Sequence, residues 1–286
     1  MWKALLAALA ALIPASEACA QPPVWVVRHA DSELVLFGSV HILPPGLDWT
    51  PPVLNRALRS ADDVWFELPI DPATEAQTTQ LAAQHGILPA GKSLSALLDP
   101  DSAARLVRMA DRYGVSMAVL DRLEPWFAEV VLAGALYKAS GGDAATGVEK
   151  TLSAAAPPNA VRRAFETPAE QIALFDQAPL AEQAASLKET LREMEDKPDQ
   201  YNQLIAAWMT GDMAALDREA LEPLRKATPA LFQRLVTARN ARWVAMLRAR
   251  LAGKGKTVVI VGVGHLIGPD GVPARLRALG YSVSGP

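Results

Sequence analysis

The chain has 286 residues, half of them hydrophobic, with 28 basic against 31 acidic side chains and a net charge of −3. That length supports a sizeable core, and the near balance of charge excludes a polycationic surface for nucleic acid. One cysteine and four histidines leave few candidates for nucleophilic or metal chemistry, so their positions carry weight.

Met1-Trp2-Lys3 is a short basic start, Ala4 to Ala15 is apolar, and Ala18-Cys19-Ala20 supplies the small residues of a cleavage site. This three-part pattern predicts a signal peptide over residues 1–20, cut after Ala20, and a periplasmic or secreted mature chain. The apolar run is interrupted at Pro14 and is too short for a stable membrane anchor. Cys19 lies inside the peptide, so the mature chain has no thiol for a disulfide, a thiolate metal site or a cysteine nucleophile.

Trp25–Arg28 and Leu34–Phe37 are β-rich runs with a turn over 29–33, and Asp63–Leu68 reads as a third strand that stops before Pro69. Polar, alanine-rich Thr78–His85 reads as helix, as do 101–113, 117–138, 168–175, 180–194, 201–208 and 229–252. Ala154–Ala160 is a loop. Thr257–Val261 (TVVIV) is a strand of the kind buried on both faces, and Tyr281–Val283 is a short last strand. The prediction is one α/β domain over 21–286. Its mixed sheet comes from N- and C-terminal strands, with a large helical insertion over roughly 71–252.

Two familiar patterns are refused. Gly86 to Ser93 fits GxxxxGK[ST], but a phosphate-cradling loop must follow a buried strand, and here a polar helix precedes it. Gly262-Val263-Gly264 with Gly268 resembles a dinucleotide loop with its third glycine one residue too late, and no ribose-binding acid follows.

The histidines are more informative. Leu34–Phe37 is followed by Gly38-Ser39-Val40-His41, and Thr257–Val261 by Gly262-Val263-Gly264-His265. Each is strand, glycine, two residues, histidine, and each glycine is expected to let the chain bend and aim the imidazole into the crevice at a strand end. Glu67 ends a third apolar strand, where a carboxylate is costly to bury unless paired or metal-bound. Two imidazoles and a carboxylate form a metal set with open positions. A hydrogen-bonded structural histidine and a solvated glutamate are the plainer readings of each residue alone. His29, in the turn, and His85, at a helix end, read as surface residues.

The segments Leu36–His41 and Val261–Leu266, followed by Gly268–Val272 and Leu279–Tyr281, resemble the TraB/PrgY/GumN family, which is marked by two GxxH motifs and an early glutamate. Leu123–Trp126, Gly147–Glu149, Phe165–Thr167 with Gln171, and Arg239-Asn240 before Trp243 agree with it. Glu149 departs from the aspartate more common there. The resemblance implies a fold like erythromycin esterase and the iron-binding ChaN proteins, and an activity like that of the Tiki metalloproteases, which use manganese or cobalt. By position His41, His265 and Glu67 become metal ligands or catalytic groups. Glu149, Glu166, Arg239 and Asn240 become supporting or substrate-positioning groups. Arg239 is on its charge a candidate catalytic group, as partner to a carboxylate or to an oxyanion.

The expected function is an exported metal-dependent hydrolase acting on a peptide or protein. One divalent ion, manganese or cobalt by resemblance and zinc or iron by ligand type, would lower the pKa of bound water from ~15.7 toward ~7. The alternatives are a protein that sequesters a pheromone-like peptide without turnover, and a metal-free, esterase-like hydrolase with a histidine base oriented by Glu67. Haem or iron binding is a further possibility by analogy with ChaN.

Overall fold

A computed structural model describes residues 21–286; the expected signal peptide lies outside the described residues. The chain opens with β1 (Val24–His29) and β2 (Ser32–Ser39), an antiparallel hairpin whose two-residue turn holds Ala30 at φ 47°. β3 (Asp63–Phe66), β4 (Val161–Ala164), β5 (Gly255–Gly262) and β6 (Ser282–Ser284) complete a six-stranded sheet in the order β4-β3-β5-β2-β1-β6. β4, β3, β5 and β2 run parallel, and β1 is antiparallel to both β2 and β6. The sheet is therefore mixed, as expected from strands at the two chain ends.

β5 fills the place between β3 and β2, with Val258–Val261 all buried, as an unbroken apolar run in a central parallel strand requires. β4 was not expected. It interrupts the helical insertion because Val161-Arg162-Arg163-Ala164 is an edge strand, three of its four residues exposed, with no alternating apolar pattern to betray it. β3 ends at Phe66, so Glu67 is the first residue beyond the strand rather than its last.

Helix starts follow a repeated device. Asp71, Asp99 and Thr167 each cap the first turn with a side-chain oxygen, and each is followed by proline at the first helical position. Proline there loses no bond, because the first N–H groups of a helix have no intrahelical partner. Pro125 has the same effect and splits the helix expected over 117–138 into Met117–Leu120 and Pro125–Ala139. The helix expected over 229–252 is likewise divided, by a π turn at Gln233–Thr237 just before Ala238–Leu251. Pro52–Arg59, between β2 and β3, is a helix that the sequence reading left unassigned.

One large core joins the sheet to the helices, and a small satellite core forms around Ala82, Trp126 and Ile172. Among the described residues no helix is long and apolar enough to cross a membrane. Gly86–Ser93 follows the helix Pro72–His85, not a strand, which agrees with refusing a phosphate loop there.

Candidate functional site

Four parallel neighbours, β2, β5, β3 and β4, end on one side of the sheet, as the pairs Ser39↔Gly262, Phe66↔Ile260 and Phe66↔Ala164 show. Each contributes a polar residue just past its end. His41 follows β2, Glu67 follows β3, Glu166 follows β4 and His265 follows β5. Residues more than 220 positions apart thus share one crevice at the carboxyl edge of a parallel sheet, where ligands gather in such folds.

The glycines of the two GxxH segments are there for space rather than for bending, since neither has a positive φ. A Cβ on Gly38 would lie 2.8 Å from Val263 Cγ2, and one on Gly262 would lie 3.2 Å from Glu67 Oε1. A third glycine, Gly147, lets its segment press against the His41 carbonyl, 2.2 Å from where a Cβ would stand.

Arg239 organises the buried half of the site. Its Nε–H donates to Glu166 Oε1 (2.9 Å), and Nη2 donates to Glu166 Oε2 (2.7 Å) and Glu67 Oε2 (2.6 Å). Nη1 donates to Leu235 O in the π turn (3.2 Å) and to His265 Nε2 (2.9 Å). A guanidinium has five N–H groups, and all five are spent. Arg239 is therefore a carboxylate partner, one of the two roles expected for it, and has no N–H left for the other, a substrate oxyanion. Burial works against its charge, but Glu67 and Glu166 outweigh burial and hold the guanidinium protonated.

His265 is fixed from both sides. Asn240 Nδ2 donates to the carbonyls of His265 (3.3 Å) and Asp270 (2.9 Å), so Asn240 Oδ1 faces His265 Nδ1, 2.7 Å away, and accepts its proton. Nε2 is then the lone pair that receives Arg239. Burial, with Arg239 adding to it against the pull of Glu67, pushes the imidazole down to about 4, so His265 is neutral at neutral pH. Trp243 packs beside it at 4.4 Å between ring centroids and donates to Glu166.

Glu67 lies between the buried half and the open half. Oε1 accepts the Gly262 N–H at 2.7 Å, and Oε2 accepts Arg239 and, at 3.4 Å, Gln171 Nε2. Burial would raise this carboxyl, but His265, Arg239, His41 and the Gly262 N–H outweigh it and hold it at about 2. Because His265 is neutral above about 4, Arg239 is the main counter-charge at neutral pH.

His41 stands apart from this network. Its Nδ1 is 2.6 Å from Glu149 Oε1, which also accepts the Ser39 hydroxyl at 2.5 Å. Glu149 lies in the first turn of the helix Val148–Ala155, where the helix dipole favours a carboxylate. That carboxylate, with Glu67, pushes the His41 imidazole up to about 9. Its side chain is 68% exposed, so solvent screens part of the attraction. His41 and Glu67 both line a cavity of about 600 Å³ walled by Ile42, Leu68, Ile70 and Val130, with Lys150 and Gln171 among its polar residues.

The donor set has the chemistry of a divalent metal site, with two imidazoles oriented through Nδ1 by acceptors and one carboxylate. The arrangement does not suit one. The Arg239 guanidinium bonds Glu67 and His265 directly, standing where a shared cation would sit, while His265 Nε2 lies 3.9 Å from Glu67 Oε1. Among the described residues no group of three His, Cys, Asp or Glu is set to hold an ion. The structure thus joins Glu67, Glu166, Arg239, Asn240 and His265 in one network and sets His41 with Glu149 in a second; of the first network only Glu67 lines the cavity, beside His41 and Glu149.

Gln171 also stands at this site, with no role expected for it although it follows the Phe165-Glu166-Thr167 segment. The capping box of Thr167 and Glu170 starts its helix and sets its direction from β4. His29 and His85 are exposed; His29 packs edge-on against Tyr281 and His85 pairs with Asp176.

The model of the TraB/PrgY/gumN family matches residues 23–285. No curated protein and no solved structure matches the chain.

Proposed function

The chain belongs to the TraB/PrgY/gumN family, and we propose that it is a hydrolase of carbonyl substrates, peptides foremost, with His41 as general base. The observation that carries this reading is the His41–Glu149 pair at 2.6 Å, which engages Nδ1 of an imidazole that lines the cavity. A carboxylate behind an imidazole fixes its tautomer and raises its basicity, the arrangement a base needs to take a proton from water.

The neutral imidazole takes a proton from water at Nε2, and Glu67, held ionised by Arg239, orients that water from its other side. The water oxygen attacks the carbonyl carbon as the C=O electron pair moves onto oxygen. Collapse of this intermediate breaks the bond to the leaving amine or alkoxide, which takes the proton back from His41. Arg239, Glu166, Asn240 and His265 hold Glu67 in place. Such a site differs from the expected esterase-like one in a single respect: Glu149, not Glu67, orients the base.

The cavity has mostly apolar walls with charges at Asp71, Glu75 and Lys150, which suits a substrate that carries both apolar and charged groups, as a peptide does. Export to the periplasm, the expectation from residues 1–20, would bring the site to extracytoplasmic peptides. The test is cleavage of a randomised internally quenched peptide library by the purified mature chain, with excess chelator throughout. Wild type is expected to release fragments beyond one per chain, and folded His41→Ala to lose at least about 100-fold of the rate. Intact peptide bound one to one would assign sequestration instead. Activity abolished by chelator and restored by manganese or cobalt would assign the metal-dependent reaction.

A further inference from the structure

Hydrolysis of a carbonyl needs a hydrogen-bond donor where negative charge develops on oxygen, and removing one such donor typically costs 10²–10³ in rate. The buried network offers none. Arg239 has spent all five N–H groups, His265 donates its single N–H to Asn240, and the Asn240 amide is committed to two carbonyls. The threonines on the cavity wall are committed as well: Thr74 donates to Asp71, Thr78 to Thr74 O and Thr79 to Glu75 O.

Lys150 also lines the wall, its ammonium tied to Glu75 at 3.3 Å, but Gln171 is the lining donor that contacts Glu67. Its carboxamide is half-buried, lines the cavity with His41 and Glu67, and reaches Glu67 Oε2 at 3.4 Å, where Arg239 holds the same oxygen at 2.6 Å. A carboxamide nitrogen carries two N–H groups. One is loosely tied to Glu67, and the second has no partner among the described residues, beside the point where Glu67 would orient water. The helix Pro168–Asp176 that carries it is locked at its start by the Thr167–Glu170 capping box, so the amide sits on a rigid mount.

We infer that Gln171 is a catalytic residue whose Nε2–H group hydrogen-bonds the carbonyl oxygen of the substrate and stabilises the oxyanion as water attacks. This inference rests on the hydrolase reading above. It makes the substrate a planar carbonyl compound whose oxygen faces Gln171 while its carbon faces the water between His41 and Glu67. As that oxygen gains charge, the bond to the neutral amide shortens and strengthens. Gln171 therefore acts mainly on the transition state and little on the bound substrate.

The experiment uses the quenched peptide that wild type cleaves best and its phosphonate analogue, in which an anionic oxygen stands where the oxyanion forms. Gln171→Ala and the near-isosteric Gln171→Met are compared with wild type and His41→Ala after thermal melts confirm folding. The expected result is kcat lower by about 100-fold with little change in KM, and phosphonate affinity weakened by a similar factor. A folded Gln171→Met with wild-type kcat and wild-type phosphonate affinity, beside an inactive His41→Ala, would overturn the inference and leave the hydrolase reading standing. If wild type cleaves no peptide, both fall.

Discussion

At the scale of single residues the site divides into groups that are committed and groups that are free. Arg239 is the most committed side chain, ringed by Glu166, Glu67, His265 and the Leu235 carbonyl. Truncating it leaves Glu67 without its cation and Glu166 with Arg242 alone, and breaking a buried pair typically costs about 3–5 kcal/mol. Arg239→Ala should therefore lower unfolding stability by about that amount, and urea denaturation with Glu67→Gln as companion checks it. Unchanged stability would mean that Glu67 finds another partner. The prominence of His41, Glu67 and His265 was legible in the sequence, because the GxxH plan occurs twice and a glutamate follows an apolar strand. Their division of labour was not. Spacing along a chain cannot show that an arginine near position 240 will enter the gap between a glutamate and a histidine, since that depends on how one helix lies over the sheet.

At the scale of elements, the strand-end glycines and the π turn do the positioning. Gly38 lies inside β2 with Val263 of the turn after β5 pressed against it, its Cα 3.0 Å from where a Cβ would be. Because that contact includes backbone, Gly38→Ala cannot be absorbed by a side-chain rotation alone. Overpacking of this kind costs about 1–3 kcal/mol. The substitution should also lower activity by displacing the turn that leads to His265, and paired melting and peptide-cleavage measurements check both effects. The strong periodic segments were legible: β2, β5 and the helix Leu180–Asp196 lie within a few residues of their expected places. β4 was not, because an arginine-rich edge strand owes its conformation to pairing with β3 rather than to its own side chains. With β4 unseen, Glu166 had no visible strand end to follow, and only the resemblance suggested a place for it.

At the scale of the whole molecule, the sheet brings strands from both ends of the described chain to one carboxyl edge. β2 comes from the start of the described chain, β5 from near its end, and β3 and β4 lie beyond β5. The helical segments then wall the cavity above His41. The α/β class and the use of both termini were legible, because apolar strand patterns cluster at the two ends of the sequence and helical periodicity fills the middle. The charge state of His41 was not, since it depends on Glu149 arriving from a helix 108 positions later. That carboxylate favours the imidazolium, so the neutral base becomes available only as pH rises through the His41 pKa. The most direct measurement is the pH profile of kcat/KM for peptide cleavage, in excess chelator, for wild type and Glu149→Gln. The account predicts a wild-type rate that climbs with pH toward a midpoint near 9, and a Glu149→Gln limb displaced toward acid with a lower plateau. Identical limbs in the two proteins, or no cleavage by wild type until a divalent ion is restored, would contradict it.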